Sequence, residues 1–201
     1  PSLQPATGFT LEGWFASDDG AGAYQTLLGR TLGNGNLDSY SIWYTDGYLH
    51  AGPSNVTYVT VPWTAVPHQW HHVAVTTEAT GQRLYLDGML AGCALGATPT
   101  YDAHPLMLGA DIENGMIDGS WHGMLDELRV FSSARTGDQV WADMHTHELG
   151  ATTGLIGEWT FDEGTGQTTA DSSGAGNPGQ LGATTGAEAS DPVWVSSTVP
   201  H

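Results

Sequence analysis

The chain has 201 residues, 39% of them hydrophobic, which suffices for one large all-β domain or two small ones and is too apolar for disorder. It carries 22 Asp plus Glu against 4 Lys plus Arg, and no lysine, for a formal net charge of −18. Such a surface repels phosphate backbones and anionic lipids and gathers cations, which argues against nucleic-acid and membrane-surface roles.

A single cysteine, Cys93, rules out an internal disulfide, and no apolar run reaches the length of a transmembrane helix. The chain opens at Pro1 without a charged n-region or an apolar h-region, which fits a mature processed protein or an excised domain. The 28 glycines and 8 tryptophans favour a sandwich or barrel over a helical bundle.

Period-2 segments recur along the chain. "GFTLEGWFAS" (8–17) alternates Phe9, Leu11, Gly13 and Phe15 against Thr10, Glu12 and Trp14. "SYSIWYTDGYLHAG" (39–52) and "QRLYLDGMLAG" (82–92) each hold an Asp-Gly pair between strand-like runs, which suits the positive φ of a type I′ turn and predicts two hairpins. "QWHHVAVTTE" (69–78), "PLMLGAD" (105–111) and "MLDELRVFS" (124–132) read as further strands.

"TGDQVWADMHTH" (136–147) is the one predicted helix, with Val140 and Met144 four apart and Thr136 or Asp138 at its cap. After a small, polar linker, "LIGEWTFDEGTGQTTADSSGAGNPGQLG" (155–182) reads as a strand, a glycine-rich loop and a short return strand. Leu155, Gly157, Trp159 and Phe161 form one face of that first strand, a half-buried pattern. Many short strands, frequent turns and almost no helix predict a two-sheet antiparallel β-sandwich, a jelly roll.

In the strand 124–132, strict alternation places Met124, Asp126, Leu128 and Val130 on one face and Leu125, Glu127, Arg129 and Phe131 on the other. That sets a carboxylate in an apolar row. A buried carboxylate must be protonated, hydrogen-bonded or metal-bound, so Asp126 either accepts backbone amides or binds Ca²⁺. The loop "DSSGAGNPG" (171–179) offers the hard oxygens of Asp171, Ser173 and Asn177, and calcium takes six to eight such donors. "GNGNLDSY" (33–40) places Asn34, Asn36 and Asp38 at alternate positions, as a second oxygen-rich loop or a plain polar turn. His145 and His147 in "DMHTHE" read as surface residues past a helix end, although zinc or nickel could use such a pair.

"GFTLEGWF", "QWHHVAVT", "RLYLDGML", "PLMLGA" and "WHGMLDELRVFSSART" occur in an order and spacing that resembles the laminin G-like, concanavalin A-like jelly-roll domains of bacterial secreted proteins, over residues 2–148. The resemblance implies an extracellular or cell-surface setting, calcium as cofactor, and a carbohydrate-binding or adhesion role toward a glycan or a surface protein. It also implies that Asp126 and Asp171 lie side by side at the metal. In that family a segment like 155–182 usually opens a domain, whereas here it comes last. The chain therefore reads as a body over 1–150 and a strand-loop segment over 151–201 that completes the same sandwich, in permuted or shifted phase, or pairs with a neighbouring subunit.

Catalysis is not expected. The Glu-x-Asp-x-Glu strand of glucanases with this architecture is absent, and Glu158, Asp162 and Glu163 are wrongly spaced for it. Sugar faces stack on aromatic rings, and Tyr44, Tyr48, Tyr58, Trp63 and Trp121 lie in or beside predicted loops, while Trp14, Trp70 and Trp159 are assigned to the core. The reading from sequence is a secreted, non-catalytic, calcium-binding carbohydrate-binding module. The alternative is a structural subunit that assembles with other copies of itself by strand complementation.

Overall fold

A computed structural model describes residues 3–18 and 24–200. Among these residues the strands are β1 (Gly8–Ser17), β2 (Gln25–Leu32), β3 (Leu37–Thr45), β4 (Tyr48–Gly52), β5 (Val59–Pro62), β6 (Trp70–Glu78), β7 (Gly81–Leu86), β8 (Met89–Ala94), β9 (Leu106–Leu108), β10 (Asp111–Glu113), β11 (Met116–Asp118) and β12 (Gly123–Phe131). The helix α1 (Gly137–Met144) follows, then β13 (Leu155–Trp159), β14 (Thr168–Thr169) and β15 (Gly179–Gln180). One sheet runs β13-β12-β1-β6-β7-β8 and the other β5-β4-β3-β2-β9, with two small ribbons, β10-β11 and β14-β15, beside them. All pairings are antiparallel, so the fold is a two-sheet jelly-roll sandwich.

Alternation builds the core. Phe9, Leu11 and Phe15 of β1, Val73 and Val75 of β6, and Leu128 and Val130 of β12 meet Tyr40, Ile42 and Tyr44 of β3 and Leu49 of β4 between the sheets. Each such side chain contributes roughly 1.5–3 kcal/mol on burial. Both Asp-Gly pairs form tight hairpin turns with two left-handed residues, Asp46 and Gly47 at φ 50° and 85°, Asp87 and Gly88 at 51° and 73°. These turns set the register of β3 on β4 and of β7 on β8.

α1 starts at a full capping box. The Thr136 hydroxyl accepts from the Gln139 amide at 3.3 Å, and the Gln139 side chain accepts from the Thr136 amide at 2.9 Å. Val140 packs with Ala74 and Tyr85, and Met144 with Trp14, so the helix covers the outer face of the six-stranded sheet. Trp14 and Trp70 are thus held under the helix, not between the sheets, whereas Trp159 is in the inter-sheet core.

Strict alternation fails in β12, and this corrects the expected placement of Asp126. Glu127 adopts φ 49°, and the pairing with β1 steps from Glu12–Arg129 to Trp14–Asp126, a β-bulge. Gly13 lies opposite, where a Cβ would come 2.3 Å from Leu128 Cδ2. Beyond the bulge Leu125 turns toward the core, and Asp126 shares the outer face with Trp14. On the far side of β12, β13 adds an edge strand, pairing Leu128 with Trp159, Arg129 with Glu158 and Val130 with Gly157.

Candidate functional site

The outer face of the five-stranded sheet carries an aromatic group. The Asp46-Gly47 turn makes Trp43 and His50 cross-strand partners, and their rings stack with centroids 5.0 Å apart and planes 13° apart. Tyr58, just ahead of β5, stands edge-on to both, at 4.9 Å from Trp43 and 5.7 Å from His50, and Tyr48 lies 6.3 Å from His50. Trp43 is buried by its neighbours, while Tyr48 and Tyr58 are 45% and 41% exposed. His50 Nδ1 lies 3.0 Å from the Thr60 hydroxyl, and burial lowers its pKa, which keeps the ring neutral at pH 7.

Farther along this face two buried carboxyls converge over Gly29. A Cβ at Gly29 would sit 3.4 Å from the Asp111 carboxyl, and its cross-strand partner Ser41 donates its hydroxyl to Asp38 at 2.7 Å. Asp111 also accepts the hydroxyls of Thr31 at 2.8 Å and Tyr24 at 3.0 Å, and Asp38 accepts that of Ser54 at 3.2 Å. Burial, then the Asp111 charge, raise the Asp38 pKa to about 7. Two carboxyls held by hydroxyls in one buried place retain a proton. Their hydrogen bonds tie the β10-β11 ribbon to β2 and β3. Of the "GNGNLDSY" oxygens, Asp38 is thus an internal acceptor.

The residues expected at calcium separate into two places. Asp126 Oδ1 accepts the Glu127 amide at 2.9 Å, a Ser197 hydroxyl bond also holds the carboxyl, and burial raises its pKa. Asp171 instead organises its own loop. Its Oδ1 accepts the amides of Glu158 and Ser173, each at 3.0 Å, and the Ser173 hydroxyl at 2.5 Å, and its Oδ2 accepts the Asn177 amide at 2.8 Å. Asn177 spends its side-chain amide on the Ile156 carbonyl at 2.8 Å and its carbonyl on the Trp159 indole at 2.9 Å. Each carboxylate is thus held by its own donors, Asp126 by Glu127 and Ser197 and Asp171 by Glu158, Ser173 and Asn177. The four do not fit a calcium cage of six to eight oxygens, and among the described residues no group of three or more His, Cys, Asp or Glu is placed to hold a metal ion.

Of the aromatics expected to meet a sugar, Tyr48 and Tyr58 stand on the outer face. Tyr44 and Trp63 do not: both are buried in the inter-sheet core, with rings 5.3 Å apart at 90°. Trp121 is half-buried edge-on against Phe15 at 5.7 Å. Sequence reasoning missed Trp43 and His50. Their signal was the hairpin register itself, since Asp46-Gly47 pairs them directly.

A second feature missed is an ionic hub under α1. Arg129, fully buried, donates to Glu158 at 2.9 Å, to Glu127 at 3.2 Å and to the carbonyls of Asp143, Thr146 and His147. Glu12 lies 3.6 Å away, and burial, opposed by the Arg129 charge, pushes its pKa up to about 8. His147 bridges Glu127 at 2.7 Å and Asp162 at 3.1 Å, and the Glu127 bond raises its pKa.

A family model described as the Concanavalin A-like lectin/glucanases superfamily matches residues 1–141. Among curated proteins none is similar by sequence. A Bacteroides ovatus protein to which carbohydrate binding is attributed superposes with a TM-score of 0.72 at 19% identity, covering 92% of this chain and 55% of that one. This chain therefore spans only about half of that protein. The CBM40 of Ruminococcus gnavus IT-sialidase, bound to α2,3 sialyllactose, gives a TM-score of 0.58 at 18% identity, covering 68% of this chain and 82% of that one. Domain 4 of AbnA, an extracellular GH43 arabinanase of Geobacillus stearothermophilus, in complex with arabinotriose, gives 0.52 at 20% identity, covering 71% and 68%.

Proposed function

The chain belongs to the concanavalin A-like lectin/glucanase family, and on that premise we propose that it is a non-catalytic carbohydrate-binding module of an extracellular protein. Its glycan-binding ground is the outer face of the five-stranded sheet, around Tyr48, His50 and Tyr58. The observation that carries this reading is the aromatic group itself. Tyr48 on β4 and Tyr58 just ahead of β5 are both partly exposed beside the stacked Trp43 and His50 rings. Rigid aromatic surface beside hydroxyls suits the mixed C–H and O–H faces of a pyranose or furanose. The opposite outer face is occupied by α1 and by Val199 of the C-terminal segment. The carbohydrate ligands of the superposed sialidase and arabinanase domains support the class of partner.

A glycan microarray followed by titration calorimetry tests the reading. Tyr58→Ala and Tyr48→Ala each weaken binding of the selected glycan about tenfold, the scale of a lost stacking contact, with an unchanged circular dichroism spectrum. Full affinity in the double variant would move the site elsewhere.

One observation favours a second reading, assembly through a sheet edge. β8 ends the six-stranded sheet, and Met89 and, just beyond the strand, Leu95 are 73% and 81% exposed. Light scattering separates the two: a module elutes near its 21.2 kDa mass, whereas an assembling subunit grows with concentration.

A further inference from the structure

Resting on the reading above, we infer that the ligand is an uncharged glycan, and that glycans bearing carboxylate or sulfate groups are rejected. All the fixed positive charge in the sequence is four arginines, and each is committed away from the aromatic face. Arg30, on β2, is the cross-strand partner of the core residue Tyr40. Its guanidinium is nearly buried, donates to the Asp102 carbonyl at 3.3 Å and lies 5.8 Å over the Tyr101 ring. Arg83 pairs with Glu78 on the other sheet at 3.3 Å. Arg129 is the buried hub beneath α1. Arg135 grips Asp143 with two bonds, at 2.7 and 2.6 Å, and covers the Phe131 ring.

Neither the histidine of the aromatic group nor the helix N-terminus offsets this. His50 is the histidine of the aromatic group, and its lowered pKa leaves it uncharged at pH 7. The α1 N-terminus lies on the opposite sheet and is closed by its own capping box. What the face does present is neutral: the exposed rings of Tyr48 and Tyr58 and the Thr60 hydroxyl. The field of a chain at −18 adds repulsion to any anionic ligand approaching it. The superposed domains hold both kinds of sugar, an acidic sialyllactose and a neutral arabinotriose. Charge separates them, and this chain sides with the neutral one.

The test is affinity measurement on the full chain with matched pairs: lactose against α2,3 sialyllactose, galactan against polygalacturonate, and unsulfated against sulfated galactan, at 20 and 500 mM salt. The expected result is binding to at least one neutral glycan, with its charged counterpart at least tenfold weaker at low salt and the gap narrowing at high salt. A charged member that binds as well as or better than its neutral counterpart overturns the inference while leaving the module reading intact. Binding to no glycan in the panel or on a broad microarray removes the module reading, and the inference with it.

Discussion

Arg129, itself out of water, holds Glu127, Glu158 and three carbonyls from separate parts of the chain, with the Glu12 carboxyl 3.6 Å away. Removing one partner of a buried ionic group strands the others, at a cost of about 3–5 kcal/mol. Arg129→Ala should therefore lower unfolding stability in urea by that amount, and Arg129→Lys should recover little, because one ammonium cannot reach so many acceptors. The same group makes stability pH-dependent. Glu12 holds its proton up to about pH 8, and Glu127 and Asp38 up to about 7, all above their unfolded values. A folded state that binds more protons than the unfolded one loses stability as pH rises. His72, lowered to about 3 by burial, acts oppositely but only below pH 6.5, where the unfolded histidine protonates. The melting temperature should thus fall from pH 6.5 to 8.5, and Glu12→Gln with Asp38→Asn should flatten that slope; a flat wild-type profile would contradict it. None of this was readable from the sequence, since nothing in "MLDELRVF" marks Glu127 as left-handed. That conformation belongs by propensity to Gly, Asn or Asp, and here the bulge is imposed by Gly13 and Leu128 across the ladder.

The strands with strong local signals were legible. Both Asp-Gly hairpins and the capped helix form where turn and cap chemistry place them, because those residues act on their own backbone. The aromatic face was half legible. β3 has rings on both sides, Tyr40 and Tyr44 inward and Trp43 outward, so alternation alone could not say which set meets the core. At this scale the segment after Gly150 carries the sharpest test. β13 contributes Trp159 to the core and Glu158 to the hub, and the Asp171 loop holds the Glu158 amide. Truncation after Gly150 should leave an aggregating or unfolded chain that a peptide of residues 151–201 rescues; a monomeric, equally stable product would make the segment part of another domain.

Across the whole molecule, the two sheets turn different outer surfaces to the solvent, one closed by a helix and an ionic hub, the other bearing aromatic rings. Among the described residues this arrangement gathers no group of three or more His, Cys, Asp or Glu that could hold a metal ion. The Asp171 loop is held by its own amides, and Asp126 accepts the Glu127 amide. Exhaustive chelation should therefore leave the melting temperature unchanged in differential scanning calorimetry, whereas a fall of several degrees would require a bound metal.

The strand order β13-β12-β1-β6 places the first strand of the chain in the middle of its sheet, between a neighbour sixty residues later and one more than a hundred residues later. During synthesis β1 must wait with one edge open until residues 123–131 leave the ribosome, and the Arg129 hub closes only after Glu158 has followed. A nascent chain stopped short of β12 exposes the Phe9–Phe15 row along an unpaired edge, so the sandwich closes only once β12 and β13 have been made. Pairings so distant in sequence put refolding on the slow side of single domains, in milliseconds to seconds.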